Sequence, residues 1–246
     1  MKPLPNSEME KFKVVVVSQM ANPQQVIYTA MHQDYSENFA SDETIPSETK
    51  CGELIVKYLL AGDRGHWGPL EHPQIVFNVG YFPHSVMQQA RTHRIGVSFD
   101  CQSGRYTGQR IVRAAKGELD IEDVFYLRPA GHYNDRFGRK YAYTDEQRHS
   151  DLEWCRVAAD RYKNSLDAGM SEEQARGPMP FDTRQHFVVS FNVRSLMHFL
   201  DLRAKKDAQL EIQKLAEMML PYFQAWVPEI ADWYCKHRLG KARLSP

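Results

Sequence analysis

The sequence has neither an excess of one charge nor a long apolar run. Lys plus Arg and Asp plus Glu both number 31 in the 246 residues, so the formal net charge is zero. General nucleic-acid-binding proteins usually carry a basic excess, so this balance excludes that class while leaving room for a local basic pocket. No segment of the sequence reaches the roughly 20 apolar residues that a membrane-spanning helix needs. We therefore expect no nucleic-acid partner and no membrane partner.

Cysteine is scarce, and the four cysteines form no metal-binding pattern. Cys51, Cys101, Cys155 and Cys235 include no C-x-x-C pair, and their spacings match no zinc template, so no metal site is predicted. Reduced structural thiols are typical of cytosolic proteins. The polar segment Met1–Phe12 also lacks the apolar core of a signal peptide. These observations favour a cytoplasmic protein.

Strand and helix signals are present along the chain, without an internal repeat, a linker or a low-complexity tract. Four consecutive valines, Val14–Val17, predict a buried strand over 13–20, and alternating apolar residues predict another strand over 73–79. We interpret 104–115 as extended. Apolar spacing and capping residues predict helices over 24–32, 51–60, 82–93, 144–168, 171–177, 192–202 and 210–220. The sequence therefore predicts an α+β protein with a single domain over 1–246.

The run Arg91–Tyr106 is rich in groups that bind anions. Its sixteen positions carry three arginines, a histidine, two serines, a glutamine and two glycines. The planar guanidinium of arginine matches phosphate oxygens, and glycine lets a ligand approach the backbone closely. Folding alone does not explain this density, so we predict that the run binds a phosphorylated small molecule.

A second candidate segment runs from Asn192 to Arg203, which are eleven positions apart. On a helix the two residues return to nearly the same face, roughly 16 Å apart, with apolar residues between them. That span suits an extended ligand, such as a flavin ring joined to a nucleotide base. The alternative is an amphipathic helix whose charged residues face water, since charge runs are usually solvated.

Three ordered blocks of sequence carry a resemblance to a known family. They are Gly-His at 65–66 with Pro-Leu-Glu-His at 69–72, Thr-His-Arg at 92–94 followed after eight residues by Ser-Gly-Arg-Tyr at 103–106, and Asn-Val-Arg-Ser-Leu at 192–196 with Phe-Leu-Asp-Leu-Arg at 199–203. Together they resemble the flavin-dependent thymidylate synthases, from about His66 to Ile212. Three blocks in the same order are much more specific than one.

The resemblance implies an enzyme that converts dUMP to dTMP by reductive methylation. The family uses 5,10-methylenetetrahydrofolate as the carbon donor, NADPH as the reductant and FAD as the redox carrier, and it needs no catalytic cysteine. Its members are homotetramers that assemble the active site between subunits. Their fold is of the thymidylate synthase-complementing type, with a central mixed or antiparallel sheet flanked by helices. We therefore expect dUMP, folate and NADPH as small-molecule partners.

The resemblance also implies roles for individual residues. Arg203 matches the arginine that polarises the uracil, so it is the expected catalytic residue. The positions that match dUMP-binding residues are Gln89, Ser103, Gly104, Arg105, Arg176 and Arg203, with Gln102 as a neighbour. The positions that match flavin-binding or flavin-flanking residues are His66, Gly68, Thr92, His93, Arg94, Asn192, Arg194 and His198.

Three of these positions depart from the family pattern. Thr92 stands where the motif has its first arginine, although the adjacent Arg91 could substitute for it, and His198 replaces a frequent asparagine. Gly68 stands where a hydroxyl side chain often contacts the flavin phosphate. The departures concern the contacts to FAD and leave the uracil end of the predicted site intact.

Ordinary structural roles remain open for several of the same residues. His66 could be a turn histidine, Gln89 an exposed glutamine, and Arg176 a charge favoured by a helix C-terminus. Asn192 could cap a helix, and Arg194 could be a charged residue on the surface of that helix. Sequence reasoning alone does not separate these roles from ligand binding.

The sequence also allows two other functions and one candidate nucleophile. The functions are a flavin-dependent methyltransferase for another pyrimidine and a nucleotide-binding regulator without catalysis. The intact Arg203 and the Ser-Gly-Arg sequence argue against the regulator. Cys101 is disfavoured as a nucleophile because no base has an evident place beside it.

Overall fold

The computed structural model describes residues 11–62 and 66–241. The strands are β1 Lys13–Gln19, β2 Gln74–Pro83, β3 Val97–Cys101, β4 Gly131–Asn134, β5 Lys140–Tyr143 and β6 Arg184–Asn192. The α-helices are α1 Pro23–Gln33, α2 Glu48–Ile55, α3 His84–Ala90, α4 Gln109–Ala115, α5 Asp145–Asp167, α6 Glu172–Ala175, α7 Val193–Arg203, α8 Leu210–Trp226 and α9 Pro228–His237. The expectation for the N-terminal segment falls mostly on residues 1–10, and the first sequence block includes Gly65; both lie outside the described residues.

The strands of the described ranges form two sheets. The larger sheet has the order β1-β2-β6-β3, and β4 pairs with β5 as an antiparallel hairpin. Short 3-10 turns occur at Ala40–Asp42, Gly68–Glu71 and Ile121–Asp123, and a π-helical turn, Val56–Leu60, follows α2. None of the described helices is both long and apolar enough to cross a bilayer. The α+β fold class predicted from the sequence is confirmed.

Contacts within the chain divide it into two compact units. Within the described residues, unit 1 comprises 11–13, 79–89 and 100–188, and unit 2 comprises 14–62, 66–78, 90–99 and 189–241. Each unit is assembled from segments that are distant in sequence. The assignment of a single domain over 1–246 stays a prediction.

The core of unit 1 is built around α5. Ile111, Phe125 and neighbouring apolar side chains pack with Tyr162, which is fully buried. The helix begins with a reciprocal cap: the Gln147 backbone N–H donates to Thr144 Oγ1, and the Thr144 N–H donates to the Gln147 side chain. Such a capping box satisfies two backbone donors at the helix start. The predicted start of this helix at Thr144 is confirmed.

A buried arginine fixes several backbone segments of unit 1. Arg184 is 0% exposed and donates from Nε to the Glu122 carbonyl at 2.6 Å and from Nη1 to the Tyr81 carbonyl at 2.8 Å. Its guanidinium also lies 6.0 Å from the ring centre of Phe12 and 5.2 Å from that of Tyr126. A buried charge must be paired or hydrogen-bonded to be tolerated, and these contacts meet that requirement.

The core of unit 2 contains a row of aromatic rings. Phe77 on β2 contacts Phe191 on β6 with ring centres 6.3 Å apart, and Phe191 contacts Phe199 on α7 at 5.3 Å. All three rings are buried. Aromatic pairs at these separations contribute beyond the area that they bury. They anchor α7, the helix that carries three of the predicted site residues and is capped by a fourth, Asn192.

The prediction that the valine-rich strand is buried is wrong. β1 forms as expected, but Val15 and Val17 are 56% and 60% exposed, whereas Val14 is buried. The strand lies at the edge of the larger sheet. β-branched residues favour the extended backbone at an edge as well as at the centre of a sheet, so the composition alone did not report burial.

Two other sequence-based boundaries also differ from the structure. The extended interpretation of 104–115 is wrong, because Gln109–Ala115 forms α4 and buries Ile111. α8 continues past Pro221, where the sequence prediction stopped, and runs to Trp226. The indole N–H of Trp226 donates to the Met20 carbonyl at 3.0 Å, so tertiary contacts hold the final turns despite the proline.

The close contact between Gly108 and Tyr162 limits substitution at the start of α4. A Cβ atom on Gly108 would lie 1.9 Å from the Tyr162 hydroxyl oxygen. We expect Gly108→Ala to lower the free energy of unfolding by about 2 kcal/mol, because overpacking a core displaces its side chains. Urea unfolding measures the loss, and adding Tyr162→Phe should recover part of it.

Gly68→Ala is the matched control for this substitution. A Cβ atom on Gly68 would meet nothing within 4 Å. We expect its free energy of unfolding to stay within about 0.5 kcal/mol of the unmutated protein. Equal losses for the two alanine variants would show that the contact with Tyr162 is not the cause.

Candidate active site

Arg203, the last residue of α7, is held by two side chains from the turn that precedes β3. Its Nε donates to Nε2 of His93 at 3.0 Å, and its Nη2 donates to Oγ1 of Thr92 at 2.9 Å. These partners are 110 and 111 positions away in the sequence. A guanidinium carries only donors, so His93 and Thr92 act as acceptors in these bonds. The structure thus brings three of the predicted residues together.

The surroundings of His93 keep its imidazole neutral. The side chain is 6% exposed, and burial, with Arg203 and His198 nearby, lowers its pKa to about 3. Because Nε2 accepts from Arg203, the single ring proton of neutral His93 is on Nδ1. That Nδ1 is buried and has no hydrogen-bond partner among the described residues. A buried donor without an acceptor is unfavourable, so this atom is a candidate contact for a bound molecule.

His198 and Phe199 of α7 pack against the ring of His93. The rings of His93 and His198 are 5.0 Å apart, and those of His93 and Phe199 are 5.1 Å apart. Burial is the main cause that lowers the pKa of His198, and its Nδ1 is likewise buried with no partner in the described part of the chain. The two imidazoles and the fully buried phenyl ring therefore form one packed aromatic cluster.

A second link joins the turn before β3 to the start of α7. Asn192 is buried, and its Oδ1 caps the helix by accepting from the Ser195 N–H at 2.7 Å. The Ser195 hydroxyl donates to the Gly96 carbonyl at 2.8 Å. Gly96 has a φ of +68°, and a Cβ atom there would lie 2.3 Å from Asn192 Nδ2, so glycine is required. The capping role left open for Asn192 is therefore present, and its contact with a flavin stays a prediction.

Arg194 connects α7 to the first sequence block. Its Nη1 donates to Oε1 of Glu71 at 2.6 Å, and both side chains are partly exposed. Glu71 ends the 3-10 turn Gly68–Glu71. Sequence reasoning gave Glu71 no role, although its place within the first block was a signal. In unit 2, α7 therefore contacts residues of both earlier blocks.

A cavity of about 1040 Å³ lies in unit 2 and has His66 and Gly68 on its wall. Thr29 of α1 lines the same cavity. His66 is exposed, and its Nε2 lies 2.8 Å from Oδ2 of Asp34, which is the turn-histidine role left open by the sequence. Clefts of this volume accommodate cofactor-sized ligands. The structure thus places two predicted flavin-binding residues at a cavity of suitable size.

In unit 1, Ser103, Gly104 and Arg105 form a tight turn that leads into α4. The Thr107 hydroxyl donates to the Ser103 carbonyl at 3.0 Å and stabilises the turn. A Cβ atom on Gly104 would lie 3.4 Å from Cδ and 3.5 Å from a terminal guanidinium nitrogen of Arg176. The Arg176 side chain therefore lies across the glycine, and two predicted dUMP-binding positions are in contact. Arg105 and Arg176 are exposed.

The remaining predicted residues lie as follows. Gln89 is half-buried in α3, and Arg94 is exposed in the turn before β3. The Gln102 N–H donates to the His186 carbonyl at 2.9 Å, and the buried Gln102 Oε1 has no partner among residues 11–62 and 66–241. Cys101 is an exposed free thiol. Apart from Arg203, which belongs to unit 2, the dUMP-binding candidates belong to unit 1.

A buried polar network on α7 was missed by the sequence analysis. Asp201 is 2% exposed and accepts from the Tyr234 hydroxyl at 2.9 Å and from Nη2 of Arg238 at 2.8 Å. Burial raises the pKa of Asp201, while both donors oppose that shift. The guanidinium of Arg238 also lies 5.5 Å from the ring of Trp67. Among the described residues, no group of three His, Cys, Asp or Glu side chains could hold a metal ion.

Comparisons with known proteins identify the family of this chain. The family model described as "Thymidylate synthase complementing protein" matches residues 15–229. The chain belongs to this family. It is 32% identical to a flavin-dependent thymidylate synthase of Halobacterium salinarum, over 95% of this chain and 100% of that protein. It is 33% identical to one of Haloarcula marismortui, over 92% of this chain and 96% of that protein.

A solved structure has the same fold as this family member. It is the UMP/dUMP methylase PolB from Streptomyces cacaoi bound with 5-Br dUMP, which is similar with a TM-score of 0.73 and 25% identity. The match covers 96% of this chain and 97% of that one. The predicted family and fold type are confirmed.

The neutrality of His93 gives this family member an acid-sensitive contact. An unfolded histidine binds a proton near pH 6.5, but His93 in the fold does so only near 3. As the pH falls below 6.5, protonation therefore favours the unfolded chain by up to about 1.4 kcal/mol per pH unit. We expect His93→Gln, whose amide still accepts from Arg203, to lose less stability between pH 7 and pH 5.5, as measured by urea unfolding.

His149→Gln is the control for this measurement. His149 is an exposed histidine of α5, and its replacement should leave the acid dependence of the unmutated protein unchanged. If His93→Gln and the unmutated protein lost equal stability on acidification, the neutral state assigned to His93 would be wrong.

Proposed function

We propose that this protein is a flavin-dependent thymidylate synthase. It methylates dUMP at C5 to form dTMP, with 5,10-methylenetetrahydrofolate as carbon donor, NADPH as reductant and FAD as redox carrier. The proposal depends chiefly on the 3.0 Å bond between Arg203 and His93. That bond joins the residue matched to uracil polarisation with a residue matched to the flavin. Relatives about one-third identical over nearly the whole chain are named for this activity.

Arg203 acts as an electrostatic clamp on the uracil. The C5 atom is a poor nucleophile until electron density moves into the ring, and a cation beside N3 and O4 stabilises the anionic pyrimidine. Burial lowers the pKa of Arg203, yet a guanidinium stays protonated in proteins and cannot serve as a base. Its bonds to Thr92 and His93 fix the direction of the other N–H groups.

The phosphate of dUMP is held by donors of unit 1. Ser103, Arg105 and Arg176 supply a hydroxyl and two guanidinium groups, and a phosphate needs several donors of this kind. Gly104 supports the proposal because a Cβ atom there would be in van der Waals range of the Arg176 side chain, so the two predicted dUMP-binding positions are neighbours. Gln89 and Gln102 complete the proposed dUMP-binding set.

The residues of unit 2 fit a flavin. The buried Nδ1 atoms of His93 and His198 have no partner in the described ranges, and the cavity beside His66 and Gly68 has a volume of about 1040 Å³. The residues proposed to hold FAD are those that the family resemblance matches to the flavin: His66, Gly68, Thr92, His93, Arg94, Asn192, Arg194 and His198. When bound, FAD supplies the redox chemistry that side chains cannot perform.

The proposal includes a homotetramer with active sites shared between subunits, acting in the cytoplasm. A net charge of zero is compatible with self-association, because little mutual repulsion opposes it. Size-exclusion chromatography with light scattering measures the assembly directly.

The experiment that tests the activity is tritium release from dUMP tritiated at C5. We expect the purified protein to be yellow with bound FAD and to release tritium only when NADPH and methylenetetrahydrofolate are both present. Colourless protein that takes up no FAD, or tight dUMP binding without release, would contradict the proposal. UMP is the companion substrate, since the similar solved structure is a UMP/dUMP methylase. Equal release from UMP would broaden the substrate to both nucleotides.

Arg203→Ala tests the assigned catalytic role. We expect turnover of dUMP to fall at least about 100-fold, the usual loss when one donor to a developing negative charge is removed. The fold and the flavin content should be retained, with a lower unfolding midpoint because the buried His93 Nε2 loses its donor. Arg156→Ala is the control, because Arg156 is exposed on α5 and pairs with Glu153. Undiminished turnover by Arg203→Ala would remove the role given to this residue.

A further inference from the structure

The guanidinium of Arg203 is fixed at two different nitrogens. Nε is bonded to His93 and Nη2 to Thr92, and the two acceptors are consecutive in the chain. One hydrogen bond would let the planar group swing about that contact. Two bonds from separate nitrogens define the orientation of the plane. The bond to Thr92 therefore adds a restraint on the guanidinium plane that the bond to His93 alone does not provide.

The position of Arg203 in its helix makes this restraint important. Arg203 is the final residue of α7, and Ala204 already lies beyond the helix. The helix thus fixes only the start of a long side chain, which loses rotamer freedom when it is ordered. A side chain ordered before the substrate arrives does not incur that loss on binding.

We propose that Thr92 is a positioning residue for Arg203, orienting the guanidinium toward a pyrimidine nucleotide. This inference rests on the proposed function. The position where the family motif has an arginine carries a neutral acceptor in this chain. A hydroxyl holds the guanidinium without placing a second cation beside it.

The chemistry of threonine suits this role. Its hydroxyl accepts from Arg203 through a lone pair and keeps its own proton for another acceptor. The β-branched side chain has few χ1 rotamers, so the acceptor is held in place although Thr92 is exposed. His93 supplies the buried half of the pair, since it is neutral and stacked edge-on against Phe199 at 5.1 Å.

Two variants of Thr92 separate the hydroxyl from the shape of the side chain. Thr92→Val keeps the shape and removes the acceptor, and Thr92→Ser keeps the acceptor. We expect Thr92→Val to lower kcat/KM for dUMP about tenfold and to raise the Kd for dUMP by a similar factor, the effect of losing one hydrogen bond to a charged group. Thr92→Ser should stay within about threefold of the unmutated protein.

The Kd is measured by titrating dUMP into the flavin-loaded protein. Thr49→Val, at an exposed threonine of α2, is the control and should change neither quantity. In the Arg203→Ala background, Thr92→Val should leave the Kd for dUMP unchanged, because the group that it positions is gone. Thr92→Ala replaces Thr92→Val in all arms if the valine variant does not fold.

The outcomes distinguish this inference from the proposed function. If the unmutated protein neither binds nor turns over dUMP, the proposed function fails. If it does both and Thr92→Val matches it, only the positioning role fails. The positioning role would also be overturned if Thr92→Val and Thr92→Ser lowered kcat/KM for dUMP equally. It would likewise be overturned if Thr92→Val raised the Kd for dUMP as much in the Arg203→Ala background as in the unmutated protein.

Discussion

The hydrogen bond from Arg203 to His93 is the contact on which the candidate site depends. It requires an imidazole that is neutral at the pH of the cell, because a charged ring would offer a donor to a group that only donates. Burial produces that neutrality by lowering the pKa of His93 to about 3. The burial comes in part from Phe199, which belongs to the row of aromatic rings in the core of unit 2. Hydrophobic packing therefore sets the protonation state of a site residue.

The backbone of the same region is equally constrained. Gly96 adopts a left-handed φ so that its carbonyl can accept from Ser195, and its missing side chain makes room for the amide of Asn192. These contacts hold the turn that carries His93 against the start of α7, while Arg203 contacts the same turn from the end of the helix. A turn tied at both ends of one helix places its side chains reproducibly, which loops without such ties do not achieve.

Local signals in the sequence were reliable where local physics decides the outcome. The cap at Thr144 and the start of α5 followed from hydrogen-bonding groups within four residues of one another. Local signals did not predict the exposure of the β1 valines, because the edge position of that strand is a property of the folded chain. They also did not predict that α8 continues past Pro221, because that depends on a contact between Trp226 and Met20. The helix α4 was missed for a different reason. The composition around Ser103 is typical of a loop, and it obscured the short helix that follows.

The candidate site divides along the same line. The density of arginine, histidine and serine in one run identified the second block from the sequence alone. The network of Asp201, Tyr234 and Arg238 was not predicted, because it joins residues 33 and 37 positions apart and has no local sequence pattern. That network lies on the helical turn that ends at Arg203. Removing either donor would leave a buried carboxylate undercompensated, and such a group moves toward water or takes up a proton. Because Asp201 precedes Arg203 by two residues on α7, either response would disturb the last turn of the helix that carries Arg203.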